Sequence, residues 1–218
     1  MSGGTITHRI VRARLALQLF AAFIIGLVSG LLAVAFRFLL LESTTVIWGA
    51  PYNLVAAAQD LPWYVVVSIP VAGGLFLGLV LYPRAPDTPG AGVPDVIEAM
   101  VERGGDIHHR TTLYKLFATL VSLGCGASVG REGPMVHIGA SIGSAVARFL
   151  RVAQEWKIVF LACGAAGAIA ATFNAPMAGM LFAAEIILID FQVGYLSQIA
   201  VSAVTATVVS HQFLGDLP

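Results

Sequence analysis

The sequence has little charge. Asp, Glu, Lys and Arg make up only 11% of its 218 residues, compared with about 25% in ordinary soluble domains. The charges that are present cancel, so no basic surface for nucleic acid is indicated. The two cysteines, Cys125 and Cys163, lie in apolar, glycine-rich stretches, and we interpret them as packing residues rather than as a disulfide or metal site. With 58% hydrophobic residues, the composition is that of a membrane protein.

Apolar runs recur along the chain, but several are shorter than the roughly 20 residues of a straight membrane span. The runs lie at 15–41, 63–82, 113–129, 134–150, 158–173, 176–189 and 195–209. The sequence therefore predicts one all-α integral membrane domain over 1–218, built from short, tilted and broken helices. The first run is too long for a cleavable signal and has no small-residue cleavage site. Arg9, Arg12 and Arg14 precede it and favour a cytoplasmic N-terminus.

A polar interval over 83–112 contains a short helical pattern of its own. Pro94 suits a first helical turn, Asp95 and Glu98 complement the positive end of a helix dipole, and Gly104 and Gly105 end the pattern. We therefore expect a short helix near 94–103 within this loop.

Three short stretches place proline at a helix start: "GAGVP" (90–94), "GREGP" (130–134) and "FNAP" (173–176). Helix N-termini expose unpaired N–H groups with positive partial charge, and glycine lets a ligand approach the backbone closely. Broken helices that aim such ends at the middle of a bilayer hold anions in several transporters. The alternative is that each proline merely begins a helix. The glycine pairs in the first two stretches favour anion binding.

Glu132 carries the sharpest functional hypothesis. A carboxylate at the mouth of an anion-binding helix can occupy the site itself and leave it when protonated, which makes a gate sensitive to pH. The alternative is a helix-capping glutamate paired with Arg131.

Other patterns receive plainer interpretations. Small residues at four-residue spacing predict close helix packing: Gly126 and Gly130, Gly139 and Gly143, Gly164 and Ala168. "GASVG" and "GASIG" match a serine-hydrolase elbow, but Ser141 lies in a helical pattern, whereas the elbow needs a strand and a sharp turn. His108 and His109 are poorly spaced for a shared metal, and Asn174 is expected to turn the chain.

The sequence resembles the CLC family of chloride channels and chloride/proton exchangers. The resemblance covers 89–187, where "GAGVP", "GREGPMVHIGASIG" and "GAAGAIAATFNAPMAGMLFAAE" follow in family order. It implies a multi-pass protein of the cell membrane, embedded in lipid, that forms a homodimer with one anion pathway per subunit. Each subunit would consist of two inverted halves. No enzymatic activity and no cofactor are implied, and chloride would be the transported ion.

The resemblance also assigns the site. Glu132 matches the gating glutamate, and the anion-binding residues would be Gly90, Ala91, Gly92, Arg131, Glu132 and Gly133. Two positions depart from the family pattern. Ala91 replaces the usual serine, which removes one hydroxyl ligand. Ile186 stands where exchangers carry a second glutamate after the one that Glu185 matches.

The third departure is length, because the "GxFxP" helix start and the tyrosine of the second half do not occur in the sequence. The chain resembles the N-terminal half and would need a C-terminal half to complete the pathway. We expect passive, gated transport of chloride or a similar anion. The alternatives are a chloride/proton exchanger with an atypical proton route and a non-conducting half that acts as an assembly or regulatory subunit.

Overall fold

A computed structural model of the chain describes residues 3–49, 54–81, 83, 92–188 and 193–215. The described residues are helical, with short connections and no strand among them. The α-helices are α1 (Gly3–Trp48), α2 (Leu54–Asp60), α3 (Trp63–Phe76), α4 (Val93–Val101), α5 (His109–Gly124), α6 (Glu132–Phe149), α7 (Gln154–Phe173), α8 (Pro176–Phe182) and α9 (Leu196–Leu214). Turns of π-helix continue α3 and α8 at Leu77–Leu81 and Ala183–Ile187, and a 3₁₀ turn at Val193–Tyr195 precedes α9. The prediction of an all-α protein with short, broken helices is confirmed.

Helix α7 forms the centre of the fold, with every residue from Val159 to Ala171 buried. It packs against α6 through glycines, since a Cβ placed on Gly139 would lie 2.6 Å from the Cβ of Ala168 and would collide with the carbonyl of Gly164. A Cβ on Gly143 would lie 2.8 Å from the Cα of Leu161. The small residues of α6 and α7 therefore allow backbone-to-backbone packing, as their spacing predicts.

The same prediction is wrong for Gly126 and Gly130. Helix α5 ends at Gly124, and both glycines lie in the connection to α6. Gly126 has φ +85°, a left-handed conformation that L side chains rarely adopt. The two glycines at helical spacing thus follow the end of α5 and lie in no helix.

Helices α1 and α9 cover α7 on another side. The backbone of Ser202 lies against Gly26, and hydroxyl groups tie α9 to α7. Ser202 Oγ donates a hydrogen bond to the carbonyl of Cys163 at 2.7 Å, and Ser210 Oγ donates to that of Ala171 at 2.8 Å. Such bonds hold helices together where lipid offers no hydrophobic driving force. Cys163 is fully buried and Cys125 is half-buried, and neither forms a disulfide within the described residues.

The connection between α4 and α5 is fixed to α6. Ser144 Oγ donates to the carbonyl of Gly105 at 2.7 Å and accepts from the N–H of Ile107 at 3.2 Å. Arg148 Nη1 donates to the carbonyl of Ile107 at 3.0 Å. Gly104 and Gly105 both have positive φ and follow the last turn of α4, so the helix ends close to where its sequence pattern does. These bonds hold α4 in place beside α6.

Large apolar side chains face outward. Phe149 is 86% exposed and Trp63 is 78% exposed, values that would be costly in water for side chains of this size. By length and composition, two helical segments of the described residues can cross a membrane, at Arg14–Trp48 and Gln154–Phe173. Two shorter apolar helices lie at Trp63–Leu79 and Pro176–Ile187. The outer surface is therefore suited to lipid or to an apolar partner.

Candidate anion-binding site

Two helix N-termini meet in the fold. Gly92 is the residue that precedes α4, and a Cβ placed on it would collide with the carbonyl of Gly133 and lie 3.0 Å from the nitrogen of Pro134. Gly133 and Pro134 belong to the first turn of α6. Because first-turn N–H groups have no acceptor within their own helix, positive partial charge from both helices accumulates at this junction. An anion would be attracted here.

Gly92 makes this approach possible in two ways. Its φ is +85°, and its carbonyl accepts the N–H of Val96 at 3.2 Å, which closes the first turn of α4. The residue is buried, so a side chain would have no room even in an ordinary conformation. Glycine is therefore required by conformation and by space.

Glu132 is the first residue of α6, and its side chain is exposed on this chain. Its carboxylate folds back over the backbone of Gly130, where a Cβ would collide with Oε2. Arg131 occupies the N-cap position with helical φ and ψ and provides no side-chain cap. Among the described residues, Glu132 and Arg131 form no ion pair with each other. This geometry does not favour the alternative that Glu132 serves only as a cap paired with Arg131.

The sequence analysis made predictions for four further residues: Gly90, Ala91, Asn174 and Ser141. Gly90 and Ala91 lie outside the described residues, so the structure gives no position for them. Asn174 ends α7 in the left-handed conformation, with φ 52°, and turns the chain into α8. Ser141 lies inside α6 and accepts a hydrogen bond from Thr112 Oγ1 at 3.0 Å, which does not fit a nucleophile elbow.

Ile186 and Glu185 lie in the π-helical turn that continues α8. Ile186 is 46% exposed, and Glu185 is exposed as well. Neither side chain is packed into the core of this chain. The apolar side chain at position 186 thus faces the surroundings of the chain rather than its interior.

The sequence interpretation missed an ion pair next to the junction. Lys115 of α5 is only 3% exposed and pairs with Asp95 in the first turn of α4. The pair places a buried ammonium group beside the N-terminus of α4 and fixes that end of the helix to α5. The signal in the sequence is a single lysine inside the apolar run 113–129, because a charge in such a run usually has a partner.

A polar cavity of 610 Å³ opens next to this pair, between α4, α5 and α6. Its lining comprises Asp95, Glu98, Ala99, Arg103, Ile107, His108, Arg110, Thr111 and His137. His137 is the most buried of these polar groups, since it is 3% exposed. The sequence analysis assigned no role to His137.

Comparisons with known proteins identify the family of the chain. Residues 73–218 match the family described as "Voltage gated chloride channel". A chloride channel protein of ClcB-like type from Ralstonia nicotianae is 39% identical over 198 residues, which is 89% of this chain and 46% of that protein. The chain spans about half the length of the curated relatives it matches.

Two solved structures share the fold. A slow cyanobacterial Cl⁻/H⁺ antiporter is similar with a TM-score of 0.74 and 29% identity, over 91% of this chain and 47% of that one. A CLC-type fluoride/proton antiporter is similar with a TM-score of 0.72 and 25% identity, over 93% of this chain and 48% of that one. The matched family region contains both helix starts of the junction and Glu132. The chain belongs to the voltage-gated chloride channel family, the CLC family.

Proposed function

We propose that the chain forms one half of a transmembrane pathway for chloride or a similar small anion, with Glu132 as its gate. The observation that carries the proposal is the junction of two helix N-termini at Gly92 and Gly133, with a carboxylate in the first turn of α6. Unpaired N–H groups attract an anion, and the carboxylate competes with it. Protonation removes the negative charge of Glu132 and with it the competition.

Passive transport is the mode that Ile186 supports. A path for protons needs side chains that bind and release them, and isoleucine does neither. A solved relative named as a Cl⁻/H⁺ antiporter supports the second candidate, coupled exchange. In that case, a group other than residue 186 would carry protons to the gate.

The exposed apolar surface supports a larger assembly. Phe149 and Trp63 would be covered by lipid, by a C-terminal half or by a second subunit of a homodimer in the cell membrane. Since the chain spans about half of its relatives, the remaining ligands of the anion would come from the second half. The rival hypothesis is that the chain is a non-conducting half of a transporter and serves as an assembly or regulatory subunit.

The test is a flux measurement on the full-length protein, as its gene encodes it, in liposomes loaded with potassium chloride. A potassium ionophore starts the flux, and electrodes record chloride and protons in the outer solution. We expect chloride release well above that of protein-free liposomes, without proton movement against a gradient. Stoichiometric proton movement would select exchange instead. No chloride release above the protein-free level would contradict an anion pathway and favour the assembly subunit.

A further inference from the structure

The polar cavity between α4, α5 and α6 receives the N-terminus of α5. His108, Arg110 and Thr111 line it, and they are the N-cap residue and two first-turn residues of that helix. His108 provides no side-chain cap, and the first turn of α5 contains no acidic residue. Because first-turn N–H groups have no acceptor within their own helix, this end of α5 presents donors with positive partial charge to the cavity. Helix ends of this kind bind phosphate groups, but one helix end alone does not make a site.

His137 is a second and independent sign of a ligand. It lines the same cavity and is 3% exposed. Among the described residues, no group lies at hydrogen-bonding geometry with its Nδ1 or its Nε2. Buried polar atoms nearly always have a hydrogen-bond partner, so the ring needs one that the described part of the chain does not supply.

A hydrogen bond between α5 and α6 brings these two features together. Thr112 Oγ1, in the first turn of α5, donates to Ser141 Oγ at 3.0 Å. Ser141 follows His137 by four residues, so the two lie on one face of α6, about 6 Å apart along the helix axis. The first turn of α5 therefore packs against α6 one helical turn away from His137.

The charges around the cavity favour an anion. Both acidic residues of its lining already have a cation, because Asp95 pairs with Lys115 and Glu98 pairs with Arg103. Arg110 is exposed and forms no ion pair within the described part of the chain. The cavity and its ion pairs thus carry more positive than negative charge, and a negatively charged partner balances it.

We propose that this cavity binds a phosphate group, which belongs either to a soluble phosphate or to an anionic lipid headgroup. Arg110 presents a guanidinium fork that matches two phosphate oxygens, and a neutral imidazole at His137 donates one N–H. The start of α5 adds backbone N–H groups. The volume of 610 Å³ lies in the range of about 300–1,000 Å³ of small-molecule sites and far exceeds the size of a single chloride ion.

The site is separate from the helix junction, since the described lining contains neither Gly92 nor Glu132. The proposal therefore goes beyond the anion pathway and does not depend on it. The surroundings of the cavity suit both sources of phosphate. Val101 at the end of α4 and Leu113 of α5 are 60% and 64% exposed, which gives acyl chains an apolar surface, while the polar α4–α5 connection admits a soluble ion.

The experiment uses the purified full-length protein in detergent and in chloride solution, with two probes. Inorganic phosphate is titrated by calorimetry, and phosphatidic acid is titrated by native mass spectrometry, with phosphatidylcholine as the lipid without net charge. The variants are Arg110→Gln and His137→Leu. Arg151→Gln is the matched control, because Arg151 is also an exposed arginine but does not line the cavity.

We expect wild type and Arg151→Gln to bind one of the two probes with equal affinity. Arg110→Gln and His137→Leu should bind it about tenfold or more weakly, since each loses a hydrogen bond to a charged group. Binding of inorganic phosphate would identify a soluble ligand. Binding of phosphatidic acid alone, in preference to phosphatidylcholine, would identify a lipid.

Three results would overturn the proposal. The first is equal affinity of wild type and Arg110→Gln, and the second is an equal loss of affinity in Arg151→Gln, which would show unspecific attraction. The third is no binding of either probe, which would leave water as the partner of His137. If His137→Leu fails to fold, Arg110→Gln decides, because Arg110 is exposed and its replacement leaves the core intact.

Discussion

Gly92→Ala tests the helix junction on which the anion site depends. The substitution adds one methyl group at a buried position where φ is +85°. The methyl group would meet the carbonyl of Gly133, which is backbone and cannot rotate away as a side chain could. Either α4 must move away from α6 or the backbone at both helix starts must change.

The cost has two parts. A left-handed conformation costs an alanine about 1–2 kcal/mol relative to glycine. Overpacking against a fixed neighbour adds about 1–3 kcal/mol. The sum of about 2–5 kcal/mol is a large part of the about 5–15 kcal/mol that stabilises a typical fold. For a chain of this size, each kcal/mol shifts the midpoint by about 2–4 °C, so the expected decrease in Tm is about 4–20 °C.

The assay is thermal unfolding of the purified protein in detergent, with chloride binding measured on the same samples by calorimetry. Gly74→Ala is the matched control, because Gly74 lies inside α3 and a Cβ there would meet no atom within 4 Å. We expect the control to keep or slightly raise the Tm, since alanine is the better helix former. A Tm decrease in Gly92→Ala no larger than in the control, with chloride affinity intact, would refute the reasoning.

The other predictions concern the Lys115–Asp95 ion pair, Ala91 of the "GAGVP" stretch and the contact between α6 and α7. Asp95→Asn should lower the free energy of unfolding by up to about 3–5 kcal/mol, because it leaves the buried ammonium group of Lys115 without its partner. Lys115→Met should lower it less, because the Asp95 side chain that it leaves unpaired is 28% exposed. Equal losses in thermal unfolding would contradict this asymmetry. Ala91→Ser should tighten chloride binding about tenfold or more in calorimetry, since a hydrogen bond to a charged group contributes about 1.5–3 kcal/mol, and an unchanged affinity would count against it. Gly164→Ala should lower stability by about 1–3 kcal/mol by separating α7 from Gly139, and an unchanged Tm would show that the helices can give way.

Local patterns in the sequence predicted much of the fold. Pro94, with Asp95 and Glu98 behind it, places a short helix where the structure has α4. Gly139 and Gly164 predict close packing because both lie within continuous apolar helices. Local sequence rules suffice where the residues that carry the signal lie in the same helix that they predict.

The errors and omissions have a physical cause. Gly126 has the same spacing from Gly130 as the packing glycines have, and only the backbone conformation shows that it ends a helix. The Lys115–Asp95 pair joins residues 20 positions apart, and the cavity that His137 lines is bounded by residues of three helices. Contacts of this kind depend on how helices are arranged, which neither periodicity nor motif spacing reveals.

Glu132 is the residue on which the central claim depends, and its carboxylate can be removed with little change in shape. Glu132→Gln keeps the size of the side chain but cannot carry the negative charge that competes with an anion. Glu185→Gln is the matched control, because Glu185 is also an exposed glutamate of the described chain.

The most direct measurement is the chloride flux of wild type, Glu132→Gln and Glu185→Gln in liposomes over a range of pH. The account predicts that wild type and Glu185→Gln conduct more as the pH falls, since protonation removes the competing charge of Glu132. It predicts that Glu132→Gln conducts at a high rate that does not change with pH. A Glu132→Gln protein with the pH dependence of wild type would contradict the assignment of Glu132 as the gate.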